Sequence, residues 1–170
     1  MNTRQISSIL KQTVVGPKFL GVFASDQLPA GGKVNGPCAF VVNTDPSTKP
    51  GSHWIAIFIA TDGTAEYFDS YGLEPNVKSI LSFLARYSRL GWNTVPIQGL
   101  FSSVCGHYCI YFVIQRCNFN RSMNEIVKQF SVNDAEENDE MITDWINEQF
   151  DVDTDTYDID FLINQICHSR

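Results

Sequence analysis

The amino-acid sequence predicts a mixed α+β fold, because two kinds of hydrophobic pattern alternate along the chain. Short apolar runs of strand length, such as residues 38–43, stand between longer segments whose apolar residues repeat every three to four positions. A chain of 170 residues, 44% of them hydrophobic, can bury one core of ordinary size. We therefore expect a single domain over residues 1–170, with an acidic helical part at about residues 133–170.

Six segments have the hydrophobic spacing or the end signals of helices. The first begins near Thr3, which is placed to cap it, and ends before Gly16-Pro17. Another begins at Cys105 in a nearly all-apolar stretch, which predicts a buried central helix. The remaining four cover residues 77–87, residues 122–130 behind a Ser-x-x-Glu capping box, residues 140–150 and residues 158–167.

Strands are predicted at residues 38–43, 53–60, 64–70 and 93–97. The second and third are joined by a Thr-Asp-Gly sequence that is typical of a hairpin turn.

The length of that turn decides where Asp69 lies. A two-residue turn would place Asp69 opposite Ala56, on the sheet face away from His53. A three-residue loop, with Gly63 in the left-handed conformation, would place Asp69 opposite Ile55 and on the same face as His53. We predict the three-residue loop.

Charge and composition argue against several classes of function. The net charge is −7 and the acidic residues concentrate after residue 133, which disfavours nucleic acid as a partner. The longest apolar run, residues 54–60, is far shorter than the roughly 20 residues of a membrane-spanning helix, so no membrane partner is expected. The N-terminal residues lack a secretory pattern and the cysteines are odd in number, which favours free thiols in an intracellular protein.

Four residues, in the order His53, Asp69, Gln98 and Cys105, supply the groups that acyl transfer to a thiol requires. Cys105 precedes Gly106 where a loop becomes a helix, and the positive end of a helix dipole lowers the pKa of a thiol. His53 can accept the thiol proton and Asp69 can orient the imidazole. Gln98, seven residues before Cys105, can donate a hydrogen bond to a developing oxyanion.

An isolated cysteine is more often a small buried hydrophobe than a nucleophile, and that interpretation is kept for Cys38, Cys109 and Cys117. Cys105, His107 and Cys109 also form a Cys-x-His-x-Cys pattern. Residues two apart on a helix point in different directions, so no metal site is predicted.

Several motifs together resemble the adenovirus-type cysteine proteases, the adenain family. The resemblance spans roughly residues 16–115, in the same order and with nearly the same spacing. The motifs are Gly16-Pro17-x-Phe19-Leu20-Gly21, Val42-Asn43-Thr44 followed by Gly51-x-His53-Trp54, and Gln98-Gly99 followed by Cys105-Gly106-x-x-Cys109. The SUMO- and ubiquitin-like-protein proteases are more distantly similar, sharing only His-Trp, Asp and Gln…Cys-Gly.

This resemblance implies a central mixed or antiparallel sheet that packs against a helix with the nucleophile in its first turn. It implies that His53 is the base, Asp69 the orienting acid, Gln98 the oxyanion donor and Cys105 the nucleophile. Trp54 and Gly106 would support the substrate or the oxyanion. It further implies an endopeptidase that matures viral capsid and core precursors at glycine-containing sites, in the host nucleus or the virion.

The family's activators do not transfer directly to this chain. Adenovirus enzymes are stimulated by DNA and by a short viral peptide that forms a disulfide to a cysteine ahead of the glutamine. This chain has no cysteine between Cys38 and Cys105, and its net charge of −7 disfavours DNA. The sequence requires no cofactor, while activation by a peptide or by DNA stays an open alternative.

Three functions therefore stay open at the level of sequence. The first is a viral or virus-derived maturation protease, which the adenain-like motifs outside the predicted active site favour. The second is a SUMO- or ubiquitin-like-protein deconjugating protease, whose partners would be ubiquitin-like conjugates rather than viral precursors. The third is a catalytically silent binding module that has kept the fold.

Overall fold

The computed structural model describes residues 1–150 and confirms the predicted α+β fold. Its strands are β1 (Lys18–Ala24), β2 (Cys38–Asn43), β3 (Trp54–Ile59), β4 (Ala65–Phe68) and β5 (Leu90–Trp92). Its helices are α1 (Thr3–Thr13), α2 (Lys78–Leu84), α3 (Cys105–Asn118), α4 (Met123–Val127) and α5 (Ala135–Phe150). The strands form one mixed sheet in sequence order, in which the outer pairs β1–β2 and β4–β5 are parallel and the inner pairs are antiparallel.

Helices cover both faces of this sheet. One face packs against α1, α3, α4 and α5 and contributes Ala56 and Phe58 of β3 to their core. The other face packs against α2 and contributes Ile55, Ile57 and Ile59. Because successive side chains of a strand point to opposite faces, a strand covered on both sides is apolar at nearly every position.

Helix α3 is the buried central helix that the sequence predicts. Phe112 of α3 stacks on Phe68 of β4, with ring centroids 4.5 Å apart and planes 6° from parallel. Farther along the helix, Arg116 forms two hydrogen bonds to the carboxylate of Glu66, at 2.8 and 2.9 Å. These contacts tie α3 to β4 and so fix the first turn of the helix relative to the sheet.

The β3–β4 hairpin has the predicted three-residue loop. Ala60 and Thr64 are joined by a backbone hydrogen bond of 2.9 Å, and Gly63 has a φ of +79°. The pairing of Ala56 with Phe68 places the next residue, Asp69, opposite Ile55. The register prediction is therefore confirmed, and Asp69 lies on the side of the sheet that His53 can reach.

The strand predicted at residues 93–97 is wrong, because the chain leaves the sheet after β5 at Trp92. The side chain of Asn93 occupies the position that a continuing backbone would take. Its Oδ1 atom accepts a hydrogen bond from the Asp69 N–H at 2.9 Å, and its Nδ2 atom donates to the Asp69 carbonyl at 2.6 Å. Pro96, which has no N–H, could not have continued the pairing.

Several helix boundaries also differ from prediction. Asn2, and not Thr3, caps α1, through a reciprocal capping box with Gln5. Helix α5 begins at Ala135, ahead of the predicted start at residue 140, while α2 and α4 end before the predicted residues 87 and 130. The helix predicted at residues 158–167 lies outside the described residues.

Strand β1 has no counterpart among the predicted elements. It is an edge strand whose residues are only partly buried or exposed, so its apolar pattern is weak. Gly21, with a φ of +133°, interrupts both that pattern and the register with β2.

Among the helices of residues 1–150, none has the length and apolar character needed to cross a membrane.

The hydrogen bonds of the Asn93 side chain lead to a prediction about the stability of the fold. The change Asn93→Ala leaves the buried N–H and carbonyl of Asp69 without their partners, which should lower the free energy of unfolding by about 2 kcal/mol. Urea denaturation followed by circular dichroism measures this loss. Asn124→Ala, at an exposed position of α4, is the matched control and should change stability by less than about 0.5 kcal/mol. Equal midpoints for the two variants would contradict the role assigned to Asn93.

Candidate active site

His53 and Asp69 meet at one end of the sheet, where His53 directly precedes β3 and Asp69 follows β4. The His53 Nε2 atom lies 2.9 Å from Asp69 Oδ1. The same carboxylate oxygen accepts a hydrogen bond from the Tyr71 backbone N–H at 2.9 Å, and Asp69 is buried. Because Nε2 is engaged by Asp69, Nδ1 is the ring nitrogen of His53 left for a third group.

That third group is the thiol of Cys105, the first residue of α3. The thiol lies close enough to the His53 imidazole, and to the backbone N–H groups of Trp54 and Gly106, for each of these groups to affect its pKa. Val104, the N-cap residue, has no side-chain acceptor, and no other side chain of the described residues caps α3. The uncapped N–H groups of this first turn favour negative charge at the sulfur.

These contacts shift the pKa of both members of the pair. Burial raises the pKa of Cys105, but the hydrogen bond with His53, the two backbone N–H groups and the imidazolium charge together bring it below the ordinary thiol value. Burial lowers the pKa of His53, but its hydrogen bonds with Asp69 and Cys105 and their charges raise it to about 9. Both shifts favour a thiolate beside an imidazolium over the neutral pair.

The other described cysteines have the opposite behaviour. Cys38, Cys109 and Cys117 are buried free thiols. Burial raises the pKa of Cys38 to about 11 and that of Cys117 to about 12, and it raises the pKa of Cys109 well above its usual range. Within residues 1–150, Cys105 is the thiol whose surroundings favour reaction.

Gln98 is buried in the loop before α3, and its amide is held at both ends. Its Oε1 atom accepts a hydrogen bond from the Ser70 hydroxyl at 2.6 Å. Its Nε2 atom faces three oxygens: the hydroxyl of Tyr71 at 3.2 Å, and the carbonyl and hydroxyl of Ser102 at 3.1 and 2.9 Å. The amide nitrogen has two hydrogens and three neighbouring acceptor oxygens, so one of these acceptors can be replaced by another oxygen.

An open cleft of about 630 Å³ borders Cys105, His53 and Tyr71. Its other walls come from the start of α1, the end of β1 and the loop of residues 43–52. Cys105 is thus one of the residues that line an open cleft.

Trp54 and Gly106 hold the start of α1 against this cleft. The Trp54 indole N–H donates a hydrogen bond to the Met1 carbonyl at 3.2 Å. A Cβ atom at Gly106 would lie 3.2 Å from Met1 Cβ and 3.3 Å from Ile6 Cδ1, so glycine permits the close approach of α1 to α3. Their predicted support of substrate or oxyanion stays a prediction.

The structure thus brings His53, Asp69 and Cys105 together, with His53 hydrogen-bonded to Asp69, and it connects Gln98 to them through Tyr71 and Ser102. Sequence reasoning missed four residues that fix this arrangement: Ser70, Tyr71, Asn93 and Ser102. Ser70 and Tyr71 directly follow the predicted acid, and Ser102 lies in the loop that the Gln98–Cys105 spacing defines. Their nearness in sequence to a predicted catalytic residue could have indicated these three residues. No sequence signal of this kind indicates Asn93.

No metal-binding cluster was predicted, and within residues 1–150 no three His, Cys, Asp or Glu side chains are arranged to hold a metal ion. His107 is buried in the first turn of α3, and burial lowers its pKa to about 4. Its imidazole is therefore neutral at physiological pH and adds no positive charge to the site.

Comparison with known proteins gives an independent indication of the enzyme class. The chain is 46% identical over 55 residues to cysteine protease S273R of African swine fever virus, isolate Tick/Malawi/Lil 20-1/1983. The chain is homologous to a viral cysteine protease. The match covers 29% of this chain and 20% of the viral protease, so the chain spans about a fifth of the length of the curated relative it matches. The predicted recognition of a viral cysteine protease is confirmed at this level.

No family model matches the chain. Among solved structures, the crystal structure of the selenomethionine form of the African swine fever virus pS273R protease is similar, with a TM-score of 0.45 and 26% sequence identity over 64% of this chain and 44% of that chain.

The altered pKa values predict selective labelling of one of the four thiols within residues 1–150. Iodoacetamide near pH 7 should alkylate Cys105 in the folded protein while the three buried thiols stay unmodified, because only the thiolate reacts. His53→Ala should slow this reaction, because loss of the imidazole raises the pKa of the Cys105 thiol and leaves less thiolate near pH 7. Peptide mass mapping identifies the labelled site. Cys105→Ala, which lacks the reactive thiol, is the negative control. Labelling at an unchanged rate in His53→Ala would show that the imidazole does not activate the thiol.

Proposed function

We propose that this protein is a cysteine endopeptidase in which Cys105 is the nucleophile, His53 the general base and acid, and Asp69 the residue that orients His53. One observation carries the proposal: the His53 imidazole is hydrogen-bonded to a buried carboxylate and lies beside the Cys105 thiol, which borders an open cleft. The homology to a viral cysteine protease supports the same chemistry.

The reaction begins with the Cys105 thiolate, whose sulfur attacks the carbonyl carbon of a peptide bond. The carbonyl oxygen becomes an oxyanion, which the backbone N–H groups at the start of α3 and the Gln98 amide stabilise. When the tetrahedral species collapses, the imidazolium of His53 gives its proton to the departing amine and a thioester remains. His53 then accepts a proton from water, which attacks the thioester and releases the carboxylic acid and the free thiol.

The Gln98 amide suits the role of oxyanion donor because hydrogen bonds fix its orientation. The Ser70 hydroxyl binds the amide oxygen, so the amide nitrogen must face the loop that leads to Cys105. With more acceptors than hydrogens around Nε2, one hydrogen bond can pass to the oxyanion without leaving Gln98 unsatisfied.

We further propose that the substrates are viral precursor proteins, cleaved at glycine-containing sites during virion maturation. The adenain-like motifs outside the site residues support this substrate class, and so does the relative's viral origin. Residues 53 and 54 are shared with ubiquitin-like-protein proteases, whereas the Gly-Pro-x-Phe-Leu-Gly motif before β2 is not.

A cleavage profile of the purified chain tests this function. The chain is incubated with a peptide library that includes glycine-rich sequences, with and without DNA, and cleavage products are identified by mass spectrometry. Cutting of glycine-containing peptides supports the proposal. Cleavage confined to a ubiquitin-like fluorogenic substrate would favour the deconjugating enzyme, and no cleavage of either substrate would favour a silent binding module.

Removal of the nucleophile should separate catalysis from folding. Cys105→Ala should abolish hydrolysis while leaving the thermal unfolding midpoint within a few degrees of the parent, since a small thiol at the edge of the core contributes little packing. The matched control is Cys38→Ala, which alters a buried thiol on the other face of the sheet and should keep activity. Residual hydrolysis in Cys105→Ala would exclude the proposed nucleophile.

His53, the proposed base, and Asp69, the proposed orienting acid, should contribute unequally to kcat/KM. His53→Ala removes the group that transfers the proton and should lower kcat/KM on the order of 100- to 10,000-fold. Asp69→Asn leaves the imidazole in place and should lower kcat/KM by a smaller factor. Steady-state kinetics on one peptide give both numbers. An unchanged rate in Asp69→Asn would mean that the imidazole is oriented by another group; Glu66 is already paired with Arg116.

The pH dependence of kcat/KM should be bell-shaped. Cys105 with its lowered pKa sets the acid limb, because protonation of the thiolate below that pKa removes the nucleophile. His53 sets the alkaline limb near pH 9, because above its raised pKa the imidazolium that protonates the leaving amine is lost. A profile that still rises between pH 9 and 10 would contradict the ion pair.

A further inference from the structure

Tyr71, which sequence reasoning did not select, contacts three of the four candidate site residues. Its backbone N–H donates to Asp69 Oδ1 at 2.9 Å. Its ring lies against the His53 imidazole, with centroids 4.9 Å apart and planes tilted by 33°. Its hydroxyl accepts a hydrogen bond from Gln98 Nε2 at 3.2 Å and donates to the Ser102 carbonyl at 3.3 Å.

The ring of Tyr71 favours the charged form of His53. An aromatic face within about 6 Å of a cation attracts it through the ring quadrupole. Asp69 holds one edge of the His53 imidazole through a hydrogen bond. The Tyr71 ring packs against the imidazole and so limits its rotation. The ring therefore acts on the same thiolate–imidazolium pair that Cys105 requires.

The hydroxyl of Tyr71 acts on the other half of the site. Ser70 fixes the oxygen end of the Gln98 amide, and the Tyr71 and Ser102 oxygens fix its nitrogen end. Burial, and then the negative charges of Cys105, Asp139 and Asp69, raise the pKa of Tyr71, so the hydroxyl keeps its proton at neutral pH. A protonated hydroxyl can accept from Gln98 while it donates to Ser102, which links the amide to the loop before the nucleophile.

We propose that Tyr71 is a positioning residue that holds the His53 imidazole through its ring and the Gln98 oxyanion donor through its hydroxyl. This inference rests on the proposed protease function and deepens it. One residue would then align the proton-transfer half and the oxyanion half of the site, which sequence places 45 residues apart at His53 and Gln98.

Two substitutions separate the two halves. Tyr71→Phe removes only the hydroxyl and keeps the ring against His53, whereas Tyr71→Leu removes the hydroxyl and the aromatic face but keeps apolar bulk. Tyr111→Phe is the matched control, because it removes a tyrosine hydroxyl that donates to the exposed Gln129 in a different part of the fold. Thermal unfolding of each variant shows that the fold is retained.

A double-mutant cycle tests whether the hydroxyl acts through Gln98. Tyr71→Phe alone should lower kcat about tenfold with KM nearly unchanged, less than the 100- to 1000-fold loss typical of a direct oxyanion donor. In a Gln98→Ala background the same change should have less than about a twofold effect, because its target is already gone. Independent, multiplying losses in kcat would overturn this half of the inference, as would wild-type kcat in Tyr71→Phe.

The pH dependence of Cys105 alkylation tests the ring and needs no substrate. In Tyr71→Leu the imidazolium loses its aromatic neighbour, so the midpoint of the iodoacetamide profile should move to higher pH, whereas Tyr71→Phe and Tyr111→Phe should keep the parent profile. A parent midpoint in Tyr71→Leu would overturn the assignment of the ring.

These outcomes differ from a failure of the proposed function. If the parent chain hydrolyses no substrate, or if Cys105→Ala retains full activity, the protease proposal fails while the alkylation profile still decides whether Tyr71 positions His53. If the parent is an active protease and Gln98→Ala is impaired, wild-type behaviour of Tyr71→Phe and Tyr71→Leu sinks only the present inference.

Discussion

The contact between His53 and Asp69 is the constraint on which the rest of the site depends, and the turn between β3 and β4 sets it. Side chains on a strand alternate between faces, so a loop one residue shorter would move Asp69 to the opposite face of the sheet. The left-handed conformation at Gly63 makes the three-residue loop possible. A single glycine far from the thiol therefore determines whether the imidazole has its carboxylate.

The electrostatic character of the site follows from partial rather than complete burial. Cys109, four residues along α3 from Cys105, is fully enclosed and has no partner that favours its charged form. Cys105 is also buried, but it lies at the end of the helix, where backbone N–H groups and one imidazole reach the sulfur. Desolvation alone would suppress the thiolate, and the same desolvation strengthens each compensating contact once the partners are present.

The sequence predicted those parts of the fold and site that local pattern determines. Strand β2, the hairpin register and the start of α3 at Cys105 were correct, because alternation, turn chemistry and helix signals are encoded within a few residues. The strand at residues 93–97 was wrong, because Asn93 pairs with the backbone of Asp69 across 24 positions, and no local pattern records such a contact. Tyr71 was missed for a similar reason: its contacts with His53 and Gln98 exist only in the folded structure, and no local sequence pattern indicates them.

The three buried thiols make the fold itself sensitive to alkali. In the unfolded chain Cys38, Cys109 and Cys117 have ordinary thiol pKa values and ionise above about pH 9. In the folded protein burial raises their pKa values, so the folded state holds protons that the unfolded state releases. Their contribution to stability is complete below the unfolded pKa and declines as the pH rises toward the folded values. Alkaline solution would thus weaken the scaffold through three thiols away from the candidate site, whereas Cys105, whose pKa is lowered in the folded protein, has the opposite effect.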